Sequence, residues 1–174
     1  PKDYVRLKLT GDKVSDMADA SGTLWLDVAR RDWSDELLDA TGLDRSHMPT
    51  LVEGTEPTGV LRESLAQRWG LATRAVVAGG GGDNACGACG SGVIAPGDGT
   101  VSLGTSGVLF VATREARPSL QHDIESLCHS VPGVWHQMSV MLSATASLNR
   151  LARTLRRPDA ELAALSGTAQ MLAI

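Results

Sequence analysis

The sixteen residues AVVAGGGGDNACGACG at positions 75–90 limit what this chain can fold into more than any other stretch. Four consecutive glycines cannot sit inside a stable helix or strand, because each loses more backbone freedom on ordering than any other residue. The chain must therefore leave an extended segment, turn through Gly79–Gly82, and enter a new element at Asp83. The unbroken apolar run Ala75–Ala78 is what a strand covered on both faces looks like. A glycine run lets a ligand approach the backbone, since no Cβ stands in the way. A helix that begins after it offers free N–H groups to anionic oxygens. Asp83 then has two readings. It can accept a proton from a hydroxyl nucleophile, with Asn84 beside it to hydrogen-bond the substrate. It can equally be the N-cap of the helix, which is the commoner use of such an Asp. No GK[ST] follows, so this is not a Walker loop.

A second motif lies about twenty residues on, VSLGTSGVLF at 101–110. Thr100–Leu103 and Val108–Ala112 read as strands joined by Gly104-Thr105-Ser106-Gly107. The backbone amides and two hydroxyls of that turn can surround a phosphate, and the same residues also make a plain hairpin. Two glycine-rich strand-end loops at this separation suit a cleft with a nucleophile on one wall and phosphate on the other.

Around these motifs, Asp3–Leu9 is helix-compatible and stops at Thr10-Gly11. Ser34 is a good cap for a helix with Asp35 and Glu36 in its first turn and Gly42 at its end. Met48-Pro49 and the GTEPTGVL run read as extended. Leu61, Leu65 and Trp69 have helical spacing, with Gly70 as the stop. Val131-Pro132-Gly133-Val134 marks a tight hairpin turn. Leu148, Leu151 and Leu155 are helical, and Pro158-Asp159 can start one more helix. Strands alternating with helices indicate an α/β class.

Composition removes several functions. Net charge is −4 with acids and bases interspersed, so no basic stripe exists to neutralise a nucleic-acid backbone. No apolar run approaches the ~18 residues of a membrane span. The opening PKDYVRLKLTG has neither an initiator Met nor a signal-peptide core, which suggests sequence upstream. Three Cys are too few and too irregular for a secreted disulfide scaffold, and a reducing cytoplasm is the expected setting.

The cysteines and histidines allow a rival reading. Cys86, Cys89, Cys128 and His129 can be assembled into a zinc site of a non-catalytic metal-binding module, yet a second CxxC or spaced His pair is missing. Small residues packing a helix under the loop account for the two Cys as well. If Pro132-Gly133 are the two loop residues of the hairpin, His129 falls opposite His136 on one face. Such a cross-strand pair is either a metal site or ordinary strand residues. Trp25 and Trp33 read as core or rim packing.

The order of the two loops resembles the FGGY carbohydrate kinases. Further stretches carry the resemblance along residues 3–150: DYVRLKLTG, DMADASGTLWLDVARRDW, MPTLVEGTEPTG and CHSVPGVWHQMSVMLSA. Within the family, GGGGDNA followed by SLGTSG is most similar to members acting on a ketopentose, D-xylulose; glycerol kinases resemble the region more loosely. The run before Asp83 is one glycine longer than the usual form. The resemblance implies an α/β fold of the actin-like ATPase, ribonuclease H-like kind, with two domains and ATP in the cleft between them. Residues 1–95 would be the C-terminal part of the sugar-binding N-terminal domain, and 96–174 the beginning of the nucleotide-binding C-terminal domain. It also implies Asp83 as general base, Asn84 as a sugar contact, and Gly104, Thr105, Ser106 and Gly107 as the ATP phosphate site. ATP and Mg²⁺ are the implied cofactors, and no residue is assigned to metal. The partners implied are the sugar and ATP, with neither nucleic acid nor membrane; a homodimer is left open. A kinase for another polyol or sugar is the rival within the family. Parts of the active site would lie outside these residues, so the isolated chain is expected to be inactive or nearly so.

Overall fold

The computed structural model describes residues 1–156. The chain opens with α1 (Lys2–Thr10), which Gly11 ends in the left-handed conformation, φ 99°, its N–H bonded to the Leu7 carbonyl. Then come β1 (Val14–Asp16) and α2 (Met17–Ser21). The Asp16 carboxylate caps α2 by accepting the N–H groups of Ala18 and Asp19, which would otherwise be orphaned at the helix start. A two-residue pair, β2 (Leu26–Asp27) and β3 (Asp32–Trp33), leads to α3 (Asp35–Ala40). Ser34 caps α3 from its side chain to the Leu37 N–H, as its sequence pattern requires.

Next, β4 (Thr50–Val52) runs parallel to β1. The strand β5 (Pro57–Val60) is separated by α4 (Glu63–Arg68) from its antiparallel partner β6 (Val76–Ala78). The helix α5 (Asp83–Gly90) follows the glycine run. β7 (Gly99–Leu103), β8 (Gly107–Thr113), β9 (Glu125–Cys128) and β10 (Trp135–Met141) form a four-stranded sheet in the order β7-β8-β10-β9, and α6 (Thr145–Leu155) follows. Among the described residues no helix is long and apolar enough to cross a membrane.

The chain divides into two compact units. Among the described residues, the first comprises 1–100 with 110–138 and the second 101–109 with 139–156. In the first, Ala20, Leu26, Trp33, Leu38 and Cys128 make one buried cluster, with Trp25 packed against it. Ala88, Val93, Phe110 and Ala112 make another. Both tryptophans are thus packing residues; the Trp33 indole N–H donates to the Pro49 carbonyl and that of Trp25 to Thr41.

Three sequence expectations need correction. The run at Ala75–Ala78 is not covered on both faces: β6 pairs with β5 alone, and Val76 is 65% exposed. An apolar run reports the side chains' preference, but burial requires a neighbouring layer, which is not among the described residues. Of the apolar residues spaced for α4, Leu61 is buried and Leu65 half-buried, but Trp69 is exposed and Ala66 lies in the core in its place. Third, the hairpin register is shifted. Val134 N–H does bond to the Val131 carbonyl around Pro132-Gly133, with Gly133 at φ 68°. However, His136 pairs with Leu127, and His129 bonds through its N–H to the Val134 carbonyl. The loop between the strands is therefore two residues longer, and the two histidines are not cross-strand partners. The expected helix at Pro158-Asp159 lies outside the described residues.

Candidate active site

The glycine run forms the link between β6 and α5; protein contacts hold Gly79, Gly80 and Gly81, whereas a Cβ on Gly82 would meet only Asp19 Oδ1 at 3.9 Å. Gly79 donates its N–H to Glu56, and Gly80, at φ 82°, donates to Gly54. A Cβ on Gly79 would lie 2.7 Å from the Glu53 carbonyl oxygen. One on Gly54 would run into the Gly80 carbonyl, and one on Gly81 into the Ser130 hydroxyl. Gly79 and Gly54 are therefore packed backbone against backbone and Gly81 against a side chain, while Gly82, next to Asp83, is left open.

Asp83 is the first helical residue of α5, and the cap position belongs to Gly82. Its carboxylate is exposed. One oxygen, Oδ1, accepts the N–H of Asn84 at 2.7 Å and the Asn84 side-chain amide at 3.3 Å. The other, Oδ2, accepts no hydrogen bond among the described residues. The helix is held from beneath by Ala85 and Ala88, both buried. An acid placed on a helix start but excused from capping has a carboxylate oxygen free to take a proton.

The Gly104–Gly107 loop belongs to the second unit. Its carbonyls are taken: Gly104 accepts the N–H of Thr145 at 3.2 Å and its hydroxyl at 2.5 Å, and Thr105 accepts the Ala144 N–H at 2.8 Å. The start of α6 therefore uses its orphan donors to fix the loop. Gly104 N–H bonds to the Ser106 carbonyl. The amides and hydroxyls of Thr105 and Ser106 have no partner among the described residues, and both residues are exposed. That leaves a set of donors facing outward, chemistry that suits phosphate oxygens.

The cysteines do not form a metal site with His129. Cys86 approaches Ser130, Cys89 approaches His129 Nδ1 at 3.9 Å, and Cys128 points to the Val28 carbonyl. Burial pushes the Cys89 thiol pKa up, and the nearby Cys86 adds to it. His129 is 0% and His136 2% exposed. Their rings sit on Phe110, one edge-on at 5.3 Å and the other stacked at 4.2 Å. His129 Nδ1 accepts the Val131 N–H, so Nε2 carries the proton and donates to Val93 at 3.1 Å. Both rings are core packing. Burial lowers the pKa of His129, opposed by the Val93 carbonyl, and burial together with His129 lowers that of His136 to about 4.

Sequence reasoning missed Lys2, which donates to the Gly79 carbonyl, Ser130, whose side chain abuts Gly81, and Asp16, the ion-pair partner of Lys2. Asp16 alone had a local signal, an acid two and three residues before the amides it caps.

Residues 1–90 match the N-terminal domain of the FGGY family of carbohydrate kinases. The chain is 52% identical over 153 residues to a xylulose kinase from Klebsiella pneumoniae, covering 88% of this chain and 32% of that protein. The figures for the xylulose kinase of Escherichia coli K12 are 52%, 88% and 31%. A crystal structure of a xyloylose kinase from Brucella ovis superposes with a TM-score of 0.87 at 49% identity, over 93% of this chain and 34% of that one. The chain thus spans about a third of the length of the relatives it matches. By the family match and by its backbone, this chain belongs to the FGGY carbohydrate kinases and carries their actin-like α/β fold.

Proposed function

We propose that the complete protein is a xylulokinase, transferring the γ-phosphoryl group of ATP to a hydroxyl of D-xylulose. The reading is carried by the Asp83 oxygen that accepts no hydrogen bond among the described residues, at the end of the glycine run, in a chain whose 52%-identical relatives are xylulose kinases. In the reaction Asp83 takes the proton of the sugar hydroxyl as that oxygen bonds to the γ-phosphorus. The bond to the β-phosphate oxygen breaks and ADP leaves with its electron pair. Such transfers need positioning and charge stabilisation more than covalent help. Asn84 orients the sugar, while the loop Gly104, Thr105, Ser106 and Gly107 holds ATP phosphate oxygens, with Thr105 and Ser106 supplying the amides and hydroxyls that have no partner among the described residues. Mg²⁺ would arrive on the nucleotide and neutralise phosphate charge; no residue of this chain is assigned to it. Residues 1–95 belong to the sugar-binding domain and 96–174 to the nucleotide-binding domain, so the isolated chain holds part of a site. The cytoplasm is the expected compartment.

The test is Asp83→Asn in the complete protein. Loss of sugar phosphorylation by about three orders of magnitude or more, with ATP binding nearly intact, supports the base. A mild loss sinks it. A panel of ketopentoses, other sugars and polyols decides the substrate.

A further inference from the structure

Lys2 lies 77 residues in sequence from the glycine run, yet donates to the Gly79 carbonyl at 3.2 Å. The same ammonium stands 2.6 Å from Asp3 Oδ1 and 2.7 Å from Asp16 Oδ1. Both acids are fixed on their other oxygens. Asp16, fully buried, accepts the N–H groups of Ala18 and Asp19 at 2.8 and 3.2 Å. Asp3 accepts the Ser15 hydroxyl at 2.7 Å. The lysine stem runs along the loop: a Cβ on Gly80 would be 3.3 Å from Lys2 Cδ. Asp3, Asp16 and Asp19 come close enough together to suggest a metal ion. The cation they surround is instead Lys2, whose ammonium is also 3.8 Å from Asp19. Burial works against that charge, but the carboxylates of Asp16 and Asp3 beside it outweigh burial and raise the lysine pKa.

Four glycines have the largest backbone entropy to lose, so the path of this loop depends on its anchors. On the side of α1, Lys2 supplies the anchor, and Asp16 holds Lys2. We propose that Lys2 and Asp16 are positioning residues that fix the glycine run and thereby set where Asp83 presents its carboxylate. This rests on the reading of Asp83 as the base. A misplacement of about 1 Å in a reacting group can cost about a hundredfold in rate.

The experiment uses the complete protein with Lys2→Met, Lys2→Arg and, as a control on the exposed face of the same helix, Lys8→Met. Turnover, both KM values, the melting temperature and hydrogen exchange at 79–83 are measured. Lys2→Met is expected to lower kcat about 10- to 100-fold with the ATP KM within about twofold. Exchange at 79–83 should accelerate about tenfold, beyond any change elsewhere in the protein. Lys2→Arg should recover most of the turnover, and Lys8→Met should match the parent. Unchanged exchange at 79–83, unchanged kcat, or a loss of kcat that only tracks the folded fraction each overturns the proposal. Asp16→Asn removes a buried cap partner and is kept as a second variant; if it fails to fold, Lys2→Met decides alone. Should Asp83→Asn retain turnover, the base reading falls, while the exchange measurement still judges whether Lys2 holds the loop.

Discussion

Gly81 packs its bare α-carbon against the Ser130 side chain, so the glycine run is seated on the β9–β10 loop by steric contact. A Cβ there would also lie 3.0 Å from the Cys86 sulfur. Gly81→Ala is therefore expected to destabilise the protein by about 1–3 kcal/mol through overpacking, with partial rescue by Ser130→Gly. Gly87, in the same sequence motif, meets nothing within 4 Å. It lies inside α5, so Gly87→Ala should stabilise by about 1 kcal/mol. Urea midpoints of the two variants, moving in opposite directions, check the pair.

Arg31 holds Glu53 with two nitrogens, Nη2 at 2.7 Å and Nε at 3.1 Å, and donates to the Val134 carbonyl at 3.1 Å. Its guanidinium lies 4.9 Å from the Trp135 ring centre. The residue has φ 55°, a conformation unfavourable for a side chain with a Cβ. Arg31→Lys keeps the charge and loses the planar fork, and is expected to cost about 1–2 kcal/mol. Arg31→Gly relaxes the backbone but leaves Glu53 unpaired, and should be no more stable than the lysine variant. Thermal melts of both distinguish the contributions.

Acid should weaken the first unit through its histidines. His136 is held neutral to about pH 4 in the fold, against an ordinary 6.5. Its unfolded form binds a proton first, so the stability contributed by burial is complete above pH 6.5 and is lost as pH falls toward 4. By pH 5 this is about 2 kcal/mol, with His129 acting in the same direction. Urea midpoints at pH 7 and pH 5 should show the loss, and His136→Leu should reduce it.

Thr145 is the anchor of the Gly104–Gly107 loop, through its N–H and its hydroxyl to Gly104. Thr145→Val keeps the shape and removes the hydroxyl. It is expected to raise the ATP KM of the complete protein by about five- to tenfold with the sugar KM unchanged, equivalent to about one hydrogen bond. Initial rates at varied ATP and sugar measure the split.

Most local structure was legible because its causes are local. Gly11 ending α1, Ser34 opening α3, and the glycines breaking the chain before Asp83 all act within a few residues of themselves. The GTSG turn between two strands was equally plain. Asp83 was placed at the right helix start, but only the backbone geometry shows Gly82 in the cap position and the aspartate one step beyond it. The hairpin at Pro132-Gly133 was read with its turn correct and its register two residues off, since the loop length also depends on where His129 is seated beside Phe110.

The glycine run named at the outset determined from sequence alone that a strand must end, a turn must intervene and a helix must begin with an acid. What the run is packed against was decided by the tertiary structure. Gly54, Ser130 and Lys2 reach it from 25 to 78 residues away in sequence. Glycine's lack of a side chain permits every one of those approaches equally. The selection among them comes from surfaces that meet only once the chain has folded.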